Sequence, residues 1–309
     1  MKKYFLVSII LIFVYGAGVV SRDFIRDKIY SPIRNSFINS AASEPVVSYI
    51  QVMCPKGGLT LATFGQSNSA NSVRPLAPDA KHVNLFQYDW KSGKCYEYKE
   101  PLLGTNGDGG NVITHTALKL AQYSLKPVIV APFGVGGTSV LQWAYGYLSY
   151  QHDIVLSNMK RDGINPQVFL WHQGEWDARR DGLIPSDLVS EEKENFWLDE
   201  VRIGNDSPLG LLKVSYADAL QIILDKTKKY FPESHFGIAL VSRCFNRGQW
   251  EPVREAQREI TQVNKDAFIS ADSDKIYSEV TRYDKCHFSQ EGAKQLGMQY
   301  FLAITKALK

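Results

Sequence analysis

Leu59-Thr60-Leu61-Ala62-Thr63-Phe64-Gly65-Gln66-Ser67-Asn68 is an apolar, partly β-branched run that ends on a glycine and breaks at once into polar residues. Seven such residues are too few for an ordinary helix, and they lack the alternation of a strand with one wet face, so the run is a strand buried on both faces. The same form recurs at VIVAPFG (128–134), VFLWHQG (168–174), FGIALVS (236–242) and AFIS near 267. Between these runs lie segments of helical period, VITHTALKLAQYSL, SYADALQIILDKTKKYF and EPVREAQREITQV. At the end of the chain Ala293, Leu296, Tyr300, Phe301, Ile304 and Leu308 repeat at helical spacing. Alternation of strand and helix requires crossover connections, and hence a mostly parallel sheet with helices on both faces. The fold class expected is α/β.

Ligands of such sheets collect outside the carboxyl ends of the strands. Three strand ends run into polar or glycine-rich loops, GQSNSAN, GVGGTS and HQGEWD, which places these loops around one site. A serine hydroxyl becomes a useful nucleophile when a base takes its proton, a carboxylate orients the base, and donors await the oxyanion. Ser67 follows the first strand behind Gly65, where the chain can turn and present the hydroxyl. Asp284-Lys285-Cys286-His287 brings a carboxylate and an imidazole together just before the last helix. Singly, each feature is ordinary turn or capping chemistry; jointly they form a candidate catalytic set. The G-x-S-x-G elbow of α/β-hydrolases is absent, as are H-E-x-x-H, a Walker loop and a complete G-x-G-x-x-G, so metalloprotease and nucleotide-binding readings lack support.

GQSN, the Gly-Gly-Thr-Ser loop, Trp171-His172-Gln173-Gly174-Glu175 and Asp284-x-x-His287, in this order over roughly residues 57 to 308, resemble the SGNH (GDSL) hydrolase superfamily. Within it they look most like the sialate O-acetylesterase and carbohydrate esterase family six branch. The resemblance implies a three-layer α/β/α sandwich of SGNH or flavodoxin-like type and a serine esterase that removes O-acetyl groups from carbohydrate, sialic acid or another glycan. It further implies Ser67 as nucleophile, His287 as general base and then acid, and Asp284 as its orienter. The oxyanion donors would be the backbone N–H of Ser67, a backbone N–H at Gly136 and the side-chain amide of Gln173. Glu175 and Asn68 are expected to support the nucleophile loop, and His172 to be a satisfied, partly buried histidine. Arg254 and Gln257 are expected to brace helix to sheet. Lys285 and Cys286 in the middle of Asp-x-x-His are a departure that the family pattern does not require. An O-acetyltransferase acting on a cell-surface polysaccharide would use the same residues, and a non-catalytic, membrane-anchored glycan-binding protein is the alternative of another class.

The remaining sequence bounds the setting. The 309 residues are 44% hydrophobic, enough for one sizeable core, and the formal net charge of +3 from 35 basic and 32 acidic residues gives no case for nucleic acid. Lys2 and Lys3 precede the uncharged stretch from Tyr4 to Ser21, so residues 1–21 are a signal anchor or a signal peptide, which places the protein in the periplasm or outside the cell, held to the membrane if the segment is uncleaved. Residues 22–50 look like a linker or stalk, residues 51–309 like the esterase domain, and 178–213 like a surface insertion near the site. Cys54, Cys95, Cys244 and Cys286 suit an exported chain, and pairing Cys54 with Cys95 and Cys244 with Cys286 closes modest loops. Their spacing matches no zinc site, and no metal or cofactor is expected. Trp143, Trp176 and Trp250 are candidates for a sugar platform, though core packing is the commoner role for each. His82, His115, His152 and His235 have no partner legible in the sequence.

Overall fold

In the computed structural model, which describes residues 48–77, 84–179, 215–245 and 247–309, the five expected strands lie in one sheet of eight. The strands are β1 (Gln51–Val52), β2 (Leu59–Gly65), β3 (Leu85–Asp89), β4 (Lys94–Glu97), β5 (Val128–Gly134), β6 (Val168–His172), β7 (His235–Leu240) and β8 (Ala267–Asp272). Their order is β1-β4-β3-β5-β2-β6-β7-β8. From β3 to β8 all neighbours are parallel, while β4 and β1 extend the β3 edge as an antiparallel flap. The helices are α1 (Ile113–Ser124), α2 (Val140–Ala144), α3 (Tyr147–Arg161), α4 (Tyr216–Tyr230), α5 (Glu251–Val263) and α6 (Gln290–Ala307). The expected residues 1–21, most of the 22–50 linker, most of the 178–213 insertion, and His82 lie outside the described residues.

Side chains of successive strand residues leave opposite faces of a sheet, and here both sets are apolar. Ala62, Phe64, Ile129, Ala131, Phe133, Phe169 and Trp171 join a core with Trp143 of α2, Val155 and Leu156 of α3, and Leu220 and Ile223 of α4. Leu61, Val128, Val130, Val168 and Leu170 join a second core with Ala117 and Leu120 of α1 and Leu296, Tyr300 and Ile304 of α6. The result is the three-layer α/β/α sandwich. Burying one Leu or Phe side chain is worth about 1.5–3 kcal/mol, and the large residues differ between the faces. A one-residue slip would exchange them, so the register is strongly specified.

The short β1 and α2 escaped the sequence reading, and so did the β3–β4 hairpin and α3. The β3–β4 hairpin is short and carries a fully buried polar residue, Gln87, whose amide oxygen accepts from the Leu103 N–H at 2.8 Å. In α3 the buried stripe Leu148, Val155, Leu156 and Met159 includes Gln151 and His152, which dilutes the apolar pattern. His152 is fully buried beside Thr227, and burial, with Lys226 nearby, lowers its pKa to about 3, so it is neutral.

The cysteines pair as expected, Cys54 with Cys95 and Cys244 with Cys286. The first pair stitches the segment after β1 to β4, and the second joins the segment after β7 to the loop before α6.

Candidate active site

The site is built where strand ends are level. Gly65 at the end of β2 pairs with Gly134 of β5 on one side and His172 of β6 on the other, and the chain visits those two flanks in turn, which makes β2 the point where the winding reverses. Crevices open at such points. Gly65 has φ +135°, and a Cβ there would lie 2.1 Å from the His172 carbonyl oxygen, so only glycine lets β2 end this close to β6. The Gln66 N–H then donates to the His172 carbonyl at 3.1 Å, and Ser67–Ser69 form a single tight turn. Ser69 and Ser72 tie that turn by donating their hydroxyls to the carbonyls of Gln66 and Ser67, both at 2.7 Å. Ser67 is left half-buried at the strand end.

The loop before α6 meets it there. His287 Nε2 lies 2.8 Å from Ser67 Oγ, and His287 Nδ1 lies 2.6 Å from Asp284 Oδ2. Asp284 Oδ1 accepts from the backbone N–H groups of Cys286 and His287 at 2.9 and 2.6 Å. Burial raises the Asp284 pKa, but the His287 ring and these backbone donors outweigh it and hold the group below its usual value. An ionised carboxylate can only accept, so the shared proton resides on Nδ1 and the Nε2 lone pair faces the serine hydroxyl.

Lys285 takes a left-handed conformation at φ +66°, folding the loop so that Asp284 can cap it. The Cys244–Cys286 bond, the Phe245 N–H on the Lys285 carbonyl at 2.8 Å, and Arg282 beneath the loop hold it in place. Arg282 is almost wholly buried and donates to the carbonyls of Cys286, Ser273 and Ile276.

Glu175 connects the two halves. Fully buried, it accepts from Asn68 Nδ2 at 2.7 Å, and the same amide nitrogen lies 3.3 Å from the Cys286 carbonyl. Asn68 thereby links the residue after Ser67 to the residue before His287. His172 is more deeply buried than expected; its Nδ1 meets Tyr300 Oη at 2.7 Å and its Nε2 faces Glu175 at 3.5 Å. Burial pushes the Glu175 carboxyl up, but His172, Asn68 and its own backbone N–H overcome this and bring the pKa down to about 2.

A carboxylate depressed in the folded state stabilises it at pH values above the ordinary pKa near 4.3, and that stabilisation fades as pH falls through the folded value. Glu175 is therefore expected to contribute up to about 3 kcal/mol that is lost between roughly pH 4.5 and 2. Urea midpoints followed across that range should drop for wild type, while Glu175→Gln, less stable at pH 7, should lack that part of the drop. Parallel curves would remove the charge argument.

Gln173 is completely buried, and its amide nitrogen donates to the Thr138 carbonyl at 2.9 Å and to Asp177 Oδ2 at 2.5 Å. Tyr216 donates to the Gln173 main-chain carbonyl at 2.6 Å, and Gln257 reaches the same oxygen at 3.0 Å. The Gly136 N–H is aimed at Asn106 Oδ1, 3.2 Å away. Neither of these two expected donors faces an open position, whereas the Ser67 N–H donates to no protein acceptor among the described residues. Arg254 forms ion pairs with Asp272 and Asp274, and Gln257 bonds both main-chain atoms of Val241, so both brace α5 to the sheet as expected. Trp143 is buried in the core with its indole N–H on Thr138 Oγ1 and forms no platform; Trp176 and Trp250 are partly buried. His115 contacts Gln290 at 2.9 Å, and His235 opens β7.

Asn106, Asp177, Tyr216 and Arg282 had no signal in the sequence beyond turn or helix chemistry, because each acts across loops distant in the chain. Among the described residues no cluster of His, Cys, Asp and Glu is arranged to hold a metal.

The sequence matches no family model and no curated protein. Among solved structures, the chain is similar to a protein from Arabidopsis thaliana at 15% identity and a TM-score of 0.57, covering 81% of this chain and 98% of that one. It is similar also to a carbohydrate acetylesterase from Xanthomonas citri at 12% identity and a TM-score of 0.53, covering 81% of this chain and 56% of that one, a little over half of its length. At such identities the likeness is one of fold, the three-layer α/β/α sandwich.

Proposed function

We propose that this protein is a serine esterase that removes O-acetyl groups from carbohydrate, with Ser67 as nucleophile, His287 as base and then acid, and Asp284 as orienter. The observation that carries the reading is the unbroken hydrogen-bonded run from Ser67 Oγ through the His287 ring to Asp284. In the first half-reaction Ser67 Oγ bonds to the acetyl carbon and its proton passes to His287 Nε2. The carbonyl electron pair moves onto oxygen and then returns, expelling the sugar oxygen, which takes the proton from His287. Water repeats the sequence on the acetyl-serine and frees acetate. Asp284 stabilises the imidazolium formed at each stage, and the surrounding clamps fix the ring before substrate arrives.

The similarity of fold to a carbohydrate acetylesterase supports sugar as the alcohol side, and the resemblance of the motifs favours the sialate O-acetylesterase branch. Two disulfides favour an oxidising compartment, hence export. Among the described residues no helix is long and apolar enough to cross a membrane.

Acetate release from O-acetylated sialic acids, xylans and bacterial polysaccharides, with p-nitrophenyl acetate as a general substrate, tests the reading. Release from at least one sugar is expected, and inertness toward every substrate, the nitrophenyl ester included, would reject it.

A further inference from the structure

The sugar expelled in the proposed reaction takes its proton from His287 Nε2, so its ring must come to lie beside that imidazole. Little width is available on the Gly136 side, where a single Cβ added to Gly136 would already stand 3.5 Å from Ser67 Cβ. That is contact distance, and a pyranose does not fit between the two residues. The aromatic ring beside His287 is that of Tyr283. The two ring centroids are 6.2 Å apart, with their planes 28° from parallel. Tyr283 is fixed at both ends. Its N–H donates to the His287 carbonyl at 3.1 Å and its hydroxyl to the Ser72 carbonyl at 3.0 Å, while Ser72 Oγ donates to the Ser67 carbonyl at 2.7 Å. The Arg74 guanidinium hydrogen-bonds the same phenol and itself pairs with Asp108. The polar tip is thus satisfied, yet Tyr283 remains 46% exposed. A tyrosine kept only to pack against the imidazole would bury its ring, as Trp143 is buried in the core. Here the apolar body is held still and in water at the edge of the site.

We propose that Tyr283 is a sugar-binding residue of the esterase, its ring the platform on which the pyranose bearing the acetyl group stacks beside His287. The proposal rests on the esterase reading above. A pyranose whose substituents are equatorial turns axial C–H bonds to each face, and these weakly positive hydrogens suit the negative face of an aromatic ring. The stack also removes apolar surface of both partners from water. Because the ring is tied through Ser72 to the turn of the nucleophile and through its own main chain to His287, little freedom is lost when the sugar binds. A sugar lying on it has its ester oxygen brought to the proton on Nε2. The substrate class that follows is an acetylated pyranoside with equatorial substituents, preferred over acetates of small acyclic alcohols.

The test compares wild type, Tyr283→Phe and Tyr283→Ala on the triacetate of methyl β-xylopyranoside and on ethyl acetate, which has no ring. Tyr283→Ala is expected to lose about tenfold in kcat/KM on the xyloside, mainly through a raised KM, and less than about twofold on ethyl acetate. Tyr283→Phe keeps the ring and should stay within about threefold of wild type on both. Equal losses on the two esters would make Tyr283 a brace for His287 and overturn the proposal. A loss in Tyr283→Phe as large as in Tyr283→Ala would assign the effect to the hydroxyl and its tie to Ser72, and unchanged rates in both variants would place the sugar elsewhere; either result overturns it too. A measurement with the ring intact covers the case of a misfolded Tyr283→Ala. In Ser67→Ala, which cannot turn the triacetate over, adding that ester should shift the Tyr283 ring resonances, and stationary resonances would overturn the proposal. If wild type hydrolyses neither ester, it is the esterase reading that fails.

Discussion

Ser67→Ala is expected to lower kcat on p-nitrophenyl acetate by about 10⁴- to 10⁶-fold, with the fold and both disulfides unchanged. The size follows from the geometry. Ser67 Oγ is the atom 2.8 Å from His287 Nε2, and without it the imidazole has no proton to take and the acetyl group no covalent station. Residues that act as one unit are not additive, since removing either disables the same step. His287→Ala should therefore cost about as much as Ser67→Ala, and the double variant little more than either alone. Steady-state kinetics with the three variants, together with labelling by a serine-directed phosphonate, give the measurement. Wild-type rates in Ser67→Ala would end the nucleophile assignment, and strictly multiplicative losses would show that the two residues act in separate steps.

The turn at Ser67 tolerates other changes poorly, because the same few residues serve packing and position. Gly65 has no room for a Cβ against β6, and Asn68 spends its amide nitrogen on Glu175 and Cys286. Rigid support of this kind keeps a reacting group within the narrow range of productive geometry that catalysis needs.

How far the sequence disclosed this arrangement depends on the range of each interaction. The buried strands were legible because their runs are continuously apolar and end on Gly65, Gly134 or the polar sequence after His172. The long helices α1, α4, α5 and α6 were legible from their period. The β3–β4 flap was hidden by its shortness and by Gln87, and α3 by Gln151 and His152, polar residues buried because tertiary partners satisfy them. In the site, Ser67, Asp284 and His287 could be named because local spacing and resemblance pointed to them. The destinations of Gln173 and Gly136 could not, because Asp177, Thr138 and Asn106 reach them only in three dimensions. Resemblance assigns a residue type to a role, whereas the direction of an amide is decided by its neighbours.

Asp284→Asn is the second large effect expected, a fall in kcat of about 10³- to 10⁴-fold with the protein still folded. The carboxylate has two tasks that asparagine divides. One oxygen caps the backbone N–H groups of Cys286 and His287, and an amide oxygen can continue to do so, which preserves the loop together with the Cys244–Cys286 bond. The other oxygen accepts the proton of His287 Nδ1, and there the substituted –NH₂ would present a donor to a donor. The imidazole escapes that clash by moving its proton to Nε2, which is the nitrogen that must accept from Ser67. It also loses the negative charge that stabilises the imidazolium. Because Asp284 is held below its ordinary pKa, wild type keeps both services well below neutral pH, so the deficit should persist across the neutral range. Stronger alkali, supplying hydroxide as an alternative base, should restore part of the rate in the variant and little in wild type. A variant with wild-type kcat at pH 7 would show that His287 is oriented by its loop alone, and that the charge of Asp284 serves the fold and not the reaction.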